Sequence, residues 1–305
     1  MKRTLTLIGL DIEGAWNIPV LANAAAMSEA ELLFVPTASG GCQPAVDASS
    51  VATIDAVWDR FDHVLACESV ARSRVVYDYP APRGQVGVIV GNERCGIPKQ
   101  VLERADQVVS IPMFGAGMTS VNVAVAAAIL LYAVQRDLGR RRIKVSSLSS
   151  RDVDVLLIGP ADPSELGSLL RSVWAFGWKR VFVVDSHGIW FTDDRPTVLA
   201  GRAAARREVN PLTIRPVDEL DFDQYDQFVL CTGEPRGTPL SRFSLPGRGR
   251  LLLVYGQAEP SLPTTAPVER VFVDQAAGDV EPCYRHAGSI LLSVVSQMLR
   301  RGRSG

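Results

Sequence analysis

Paired cysteines, clustered histidines, long apolar runs and an excess of either charge are all missing from this 305-residue chain. Cys42, Cys67, Cys95, Cys231 and Cys283 are scattered and odd in number, with no CxxC pair. That argues against a disulfide framework and against a zinc site, and fits reduced thiols. His63, His187 and His286 stand apart in sequence, each in a different local setting, so no metal is expected. No uninterrupted apolar run reaches the length of a membrane span, and no membrane partner is expected. The opening residues carry two basic side chains before a short apolar stretch, but Asp11 and Glu13 follow too early for a signal peptide. Residues 4–10 read instead as a first strand, and a cytoplasmic protein is expected.

The net charge is −1, which favours a selective partner over a general nucleic-acid coat, because phosphate neutralisation needs clustered Lys and Arg. Local clusters do exist: Arg136, Arg140, Arg141, Arg142 and Lys144; Arg202, Arg206 and Arg207; Arg300, Arg301 and Arg303. Each reads equally as a solvated helix end.

What is present is apolar content arranged in two matching series. Hydrophobic residues make up 47% and charged residues 21% of the chain, a globular composition with length for two cores. Strand 4–10, helix 17–27 and strand 31–35 in the first half are answered by strand 153–158, helix 164–176 and strand 180–184 in the second. Each half then shows an apolar strand ending in glycine (86–91 and 251–256) and closes on a long helix (120–136 and 285–301). Strands alternating with helices indicate α/β domains with parallel sheets, and the matched order reads as a diverged domain duplication. The basic, Ser-rich stretch 140–151 reads as a linker. The expected division is a first domain over 1–142, a linker over 143–151 and a second domain over 152–305.

The richest stretch lies in the first half. Its apolar strand empties into Gly91-Asn92-Glu93, with Gly96 close behind. A second strand ends at Ile111-Pro112-Met113, and a Gly/Ser/Asn loop opens a helix at Ser120-Val121-Asn122. Gly91 permits close backbone approach and Pro112 removes a donor while fixing chain direction. Ser120 and Asn122 place short polar groups where unpaired helix N–H groups lie.

In this order the three loops resemble those of the SpoU/TrmH family of RNA ribose 2′-O-methyltransferases, in the SPOUT superfamily. The resemblance implies a carboxyl-terminal trefoil knot, at least in the first domain, and S-adenosyl-L-methionine held largely by backbone groups. Gly91, Asn92, Gly96, Ile111, Pro112, Met113, Ser120, Val121 and Asn122 are the implied cofactor-binding residues.

The family's early-helix motif, Asn-x-Gly-x-x-x-Arg, carries the arginine regarded as catalytic. Here Asn17 keeps the asparagine, but Pro19 replaces the glycine and Asn23 the arginine. The second half reverses this: Glu165-Leu166-Gly167-Ser168-Leu169-Leu170-Arg171 keeps the arginine and loses the asparagine. Its cofactor loops have decayed to Gly256-Gln257-Ala258, Val271-Phe272-Val273 and His286-Ala287-Gly288, so no cofactor is expected there.

Family members generally work as dimers with the active site at the subunit interface. The resemblance therefore implies a monomeric chain acting as an intramolecular pseudodimer. One composite site would draw Asn17, Glu93, Ser120 and Asn122 from the first half and Arg171 from the degenerate second. A guanidinium is a poor general base, so Arg171 is expected to clamp a phosphate and stabilise developing alkoxide charge; Glu93 is expected to orient Arg171 or accept a proton through water. The implied partner is ribosomal or transfer RNA. Two other readings stay open: a non-catalytic RNA-binding relic, and a methyltransferase acting on a small molecule.

Overall fold

The computed structural model describes residues 3–36, 54–117, 120–149, 152–192, 196–206, 209–258 and 260–300. Cys42, Arg207, Arg301, Arg303 and the side chain of Arg300 lie outside the described set. The chain forms two compact units. Unit 1 holds Met1–Ile111, Asn122–Arg142 and Gln275–Cys283; unit 2 holds Pro112–Val121, Ile143–Asp274 and Tyr284–Gly305. Each unit thus includes a short segment from the opposite half of the sequence.

Unit 1 contains β1 (Thr4–Leu10), α1 (Asn17–Ala26), β2 (Glu31–Val35), α2 (Asp55–Trp58), β3 (His63–Cys67), β4 (Arg74–Val75), β5 (Gln85–Val90), α3 (Lys99–Arg104), β6 (Gln107–Ser110), α4 (Val123–Gln135) and α5 (Leu138–Arg141). Its sheet runs β2-β1-β5-β3-β6-β4, with every pair parallel. β1 and β5 are buried without alternation after their first residues because both of their faces are covered. Pro19 is tolerated in α1 because the first-turn N–H groups have no partner within the helix. The small residues of α4 pack closely, and Ala124, Ala127, Ala128 and Ala133 are all buried.

Unit 2 contains β7 (Val153–Ile158), α6 (Pro163–Ala175), β8 (Arg180–Val184), α7 (Pro196–Ala204), β9 (Thr213–Pro216), β10 (Gln227–Cys231), β11 (Thr238–Pro239), β12 (Leu251–Tyr255), β13 (Val268–Phe272) and α8 (Tyr284–Arg300). Its sheet runs β11-β13-β10-β12-β7-β8-β9, again all parallel. Apart from the edge strand β9, this order read backwards is β8-β7-β12-β10-β13-β11. It matches unit 1 strand for strand in sequence order. Asp162 caps α6 by accepting from Ser164 N at 2.7 Å, and Pro163 occupies the first turn. Gly177 follows the helix at φ +85°, where a residue with a Cβ would be strained.

Two boundaries differ from expectation. β6 ends at Ser110, ahead of Ile111, and α4 begins at Val123 rather than Ser120. Asn122 is the cap: its Oδ1 accepts from Ala124 N at 2.9 Å, which leaves the Ser120 hydroxyl available for another partner.

Candidate functional site

In unit 1 the turn after β5 is built around Asn92. Its Oδ1 accepts from Arg94 N (2.8 Å) and Cys95 N (3.0 Å), while its Nδ2 donates to the Asp11 carbonyl at 2.7 Å. Gly91 is required by close approach, since a Cβ there would lie 2.5 Å from the Gly96 carbonyl carbon. Gly96 has φ +67°, and its Cβ would lie 2.3 Å from Glu68 Oε2. That same oxygen accepts from Ile97 N at 3.0 Å.

Glu93 projects from this turn toward the start of α1. Its carboxylate accepts from Glu13 N and Gly14 N, both at 3.1 Å, and from Asn17 Nδ2 at 2.5 Å. Asn17 Oδ1 in turn accepts from Asn122 Nδ2 at 3.0 Å. Asn17 is only 1% exposed, so its amide depends on these bonds to offset its desolvation. The chain of bonds from Ala124 N through Asn122, Asn17 and Glu93 to Gly14 N fixes the β5 turn, α1 and α4 in one arrangement. Among the described residues, the hydrogen-bond partners of Glu93 all lie in unit 1.

In unit 2, residues 112–117 and 120–121 are clamped along α6. Phe114 N (2.7 Å) and Gly115 N (3.1 Å) both donate to the Ala175 carbonyl, and Trp174 Nε1 donates to Ala116 O at 3.1 Å. Approach is close enough that a Cβ on Gly115 would lie 2.1 Å from the Trp174 carbonyl oxygen. One helical turn earlier, Arg171 Nε donates to Ser120 O (3.1 Å), while Nη2 donates to Ser120 Oγ (2.8 Å) and Val121 O (3.1 Å). All three acceptors are neutral, and among the described residues no carboxylate pairs with this guanidinium. Burial, and then the neighbouring Arg206 charge, push Arg171 down to about 10. It remains cationic at neutral pH.

Arg206 comes near Arg171 through close packing of α7 on α6. A Cβ on Gly167 would lie 2.1 Å from Gly201 O. Buried Asn210 ties the middle of α6 to the end of α7, donating to Leu170 O (3.4 Å) and Ala205 O (3.1 Å).

The equivalent positions carry different chemistry. Asn23, at the arginine position of the first-half motif, accepts from Cys283 N and donates to Glu281 O, each at 2.9 Å within unit 1. Glu165, at the asparagine position of the second-half motif, accepts from Arg285 Nε at 2.6 Å and Arg285 N at 2.8 Å within unit 2. A nearly buried ion pair therefore stands in unit 2 where unit 1 has the Asn17–Asn122 amide pair. Beside it, the Tyr255 and Tyr284 rings lie 4.8 Å apart, and Tyr255 OH donates to Tyr284 O at 2.7 Å.

Asn17, Gly91, Asn92, Glu93, Gly96, Ile111 and Asn122 thus lie in unit 1; Pro112, Met113, Ser120, Val121 and Arg171 lie in unit 2. Sequence reading missed Trp174 and Asn210, and gave Arg206 only as a member of a basic cluster. Trp174 had a usable signal, lying three residues beyond Arg171 on the same helix face; Asn210 had none, and the nearness of Arg206 to Arg171 had none, because only the packing of α7 brings them together. Among the described residues, Cys67, Cys95, Cys231 and Cys283 form no disulfide. Among the described residues there is no group of three or more His, Cys, Asp or Glu placed to hold a metal, and no helix is long and apolar enough to cross a membrane.

Residues 13–132 match the family model described as the SpoU rRNA Methylase family. This segment belongs to the SpoU/TrmH family. It is similar to the tRNA (guanosine(18)-2'-O)-methyltransferase of Aquifex aeolicus (strain VF5), 35% identical over 94 residues, which are 30% of this chain and 42% of that protein. The Escherichia coli O157:H7 protein named uncharacterized tRNA/rRNA methyltransferase YfiF is 31% identical over 132 residues, 40% of this chain and 34% of that protein. The chain therefore spans less than half the length of either curated relative. Among solved structures, the SpoU methyltransferase AviRb from Streptomyces viridochromogenes in complex with the cofactor AdoMet aligns at 21% identity and a TM-score of 0.39, over 47% of this chain and 59% of that one. The SpoU segment includes the β5 turn, the Pro112–Val121 loop and most of α4, and it stops short of α6.

Proposed function

We propose that this chain is an S-adenosylmethionine-dependent RNA ribose 2′-O-methyltransferase. It acts as a monomeric, cytoplasmic, single-chain pseudodimer with one composite active site. The observation that carries this reading is the grip of Arg171 on Ser120 and Val121, because it sets the motif arginine of α6 on a loop of the SpoU segment. The shared strand order of the two sheets supports duplication. The trefoil knot belongs to the same proposal and rests on the family match.

The loop residues fit the cofactor. Pro112–Val121 carries no charged side chain, and Gly117, at φ +76°, has nothing among the described residues within 4 Å of where a Cβ would stand. Bare backbone beside open space suits an adenosine group held by main-chain bonds. The cofactor when bound supplies an electrophilic methyl group on a sulfonium. Gly91, Asn92, Gly96 and Ile111, with Pro112, Met113, Ser120, Val121 and Asn122, are the residues that would hold it.

The protein's own task is to make a ribose hydroxyl reactive. Arg171 stays charged at neutral pH, so it acts electrostatically, stabilising the developing alkoxide, whose proton passes to solvent water, and, with Arg206, the adjacent phosphate. Glu93, Asn17 and Asn122 serve as positioning residues, since their polar atoms hold the turn and the helix starts together. The nearly buried Glu165–Arg285 pair and the packed Tyr255 and Tyr284 support a reading in which the second half takes no cofactor.

Transfer of labelled methyl from S-adenosylmethionine to ribosomal or transfer RNA tests the reading. A 2′-O-methyl blocks alkaline cleavage at its nucleotide, so label should appear in alkali-resistant dinucleotides. Label confined to bases, or no transfer to any RNA, contradicts it. The net charge of −1 favours a second reading, transfer to a small molecule; RNA binding that weakens steeply with salt decides against that one.

A further inference from the structure

Trp16 is 73% exposed, whereas Trp174, Trp178 and Trp190 are 8%, 3% and 7% exposed and Trp58 is partly buried. It is the only exposed large apolar side chain among the described residues of unit 1. The residue stands at the cap of α1, at the end of a turn in which Asn17 N donates to Gly14 O at 2.8 Å. Its indole lies close to the positioning network. A Cβ on Gly14 would lie 2.9 Å from Asn17 Nδ2, 3.0 Å from Glu93 Oε1 and 3.0 Å from Trp16 Cε2. The amide, the carboxylate and the indole edge therefore converge on the bare face of one glycine. Nearby on the β5 turn, the exposed Arg94 guanidinium pairs with Glu13 at 3.0 Å.

Fold stability gives no reason for a large apolar ring to stand in water at this position. A protein-docking surface needs a broad apolar centre with several anchoring side chains. Here one ring stands among charged and amide groups. A lone, solvent-facing aromatic rimmed by polar groups is the form that base stacking takes in single-stranded RNA recognition, because every base offers a π-face while its phosphates remain in water.

We propose that Trp16 is a stacking platform for a nucleobase of the RNA, beside Asn17 and Glu93. This rests on the RNA reading above and adds the residue that would hold an unstacked base at the site.

The test titrates the full chain, W16A and W16F with an unmodified tRNA transcript. Tryptophan emission reports on the ring, and filter retention over a range of salt concentrations gives affinity. The transcript should quench an exposed emission component in the native chain that both variants lack. Affinity should fall about 5- to 150-fold in W16A and largely return in W16F, which keeps a stacking face. The salt slope should stay unchanged, since no phosphate contact is removed. If the native chain binds tRNA in a salt-sensitive way and W16A matches its affinity, the Trp16 assignment fails and the RNA reading stands. If the native chain binds no RNA, both fail. Emission that shifts with protein concentration in the absence of RNA would give Trp16 to a second copy of the chain and overturn the proposal.

Discussion

Arg171 Nη2 lies 2.8 Å from Ser120 Oγ. The two residues come from opposite halves of the sequence and belong to one compact unit. The same guanidinium holds the carbonyls of Ser120 and Val121, so one side chain shapes a loop and presents a cation there. The two roles are separable by substitution. R171A should cut methyl transfer at least ~100-fold, as removal of a preorganised electrostatic donor does, and weaken S-adenosylhomocysteine binding by the loss of charged hydrogen bonds, each about 1.5–3 kcal/mol. R171K keeps the charge but not the planar fork, so it should recover part of the rate and little of the affinity. Single-turnover transfer and calorimetry on the same preparations read the two effects.

Gly115 sets how closely the loop approaches α6. G115A drives a Cβ to 2.1 Å from the Trp174 carbonyl, and neither partner is a movable side-chain tip. The loop must shift, at an overpacking cost of about 1–3 kcal/mol, and lose the bonds to Ala175 O. Lower affinity for S-adenosylhomocysteine is expected, with a lower urea midpoint. G117A makes the contrast: its Cβ meets nothing among the described residues, so the strain of φ +76° remains, about 1–2 kcal/mol.

The Glu165–Arg285 pair of unit 2 is nearly buried, with side chains 14% and 9% exposed. Removing one partner strands the other. E165A should therefore destabilise the protein by about 3–5 kcal/mol, whereas replacing both residues by methionine should recover most of that loss. Urea unfolding of the two single variants and the double variant gives the coupling directly.

His286 links stability to pH. Burial, and next the Arg285 charge, push its imidazole down to about 3 in the folded chain, against roughly 6.5 when unfolded. Below pH 6.5 the unfolded chain takes up a proton that the native chain refuses. The contribution is thus fully present above about 6.5 and is lost as the pH falls toward about 3, at no more than about 1.4 kcal/mol per pH unit. H286Q should flatten the stability profile across that window and leave it unchanged above pH 7.

The central strands of both sheets were readable because parallel strands covered on two faces leave continuous apolar runs, such as Val86 to Val90 and Leu251 to Tyr255. β4 and β11, each two residues long, leave no periodic signal. Ser120 and Asn122 both satisfy the chemistry of a helix cap, and only the backbone path decided for Asn122, which frees the Ser120 hydroxyl for Arg171. Local pattern also cannot tell that Pro112–Val121 lies along α6, nor that Gln275–Cys283 joins unit 1. Those placements depend on hydrogen bonds such as Phe114 N to Ala175 O and Ala276 N to Met27 O, across sequence distances where no motif reports contact. Trp16 was legible only as a letter before a motif, because exposure is a property of the fold.

A calorimetric titration of the full chain with S-adenosylhomocysteine tests the account most directly. One saturable site per chain is predicted, with the first-half loops binding and the second half silent. Two sites, or no binding at all, would contradict the single composite site.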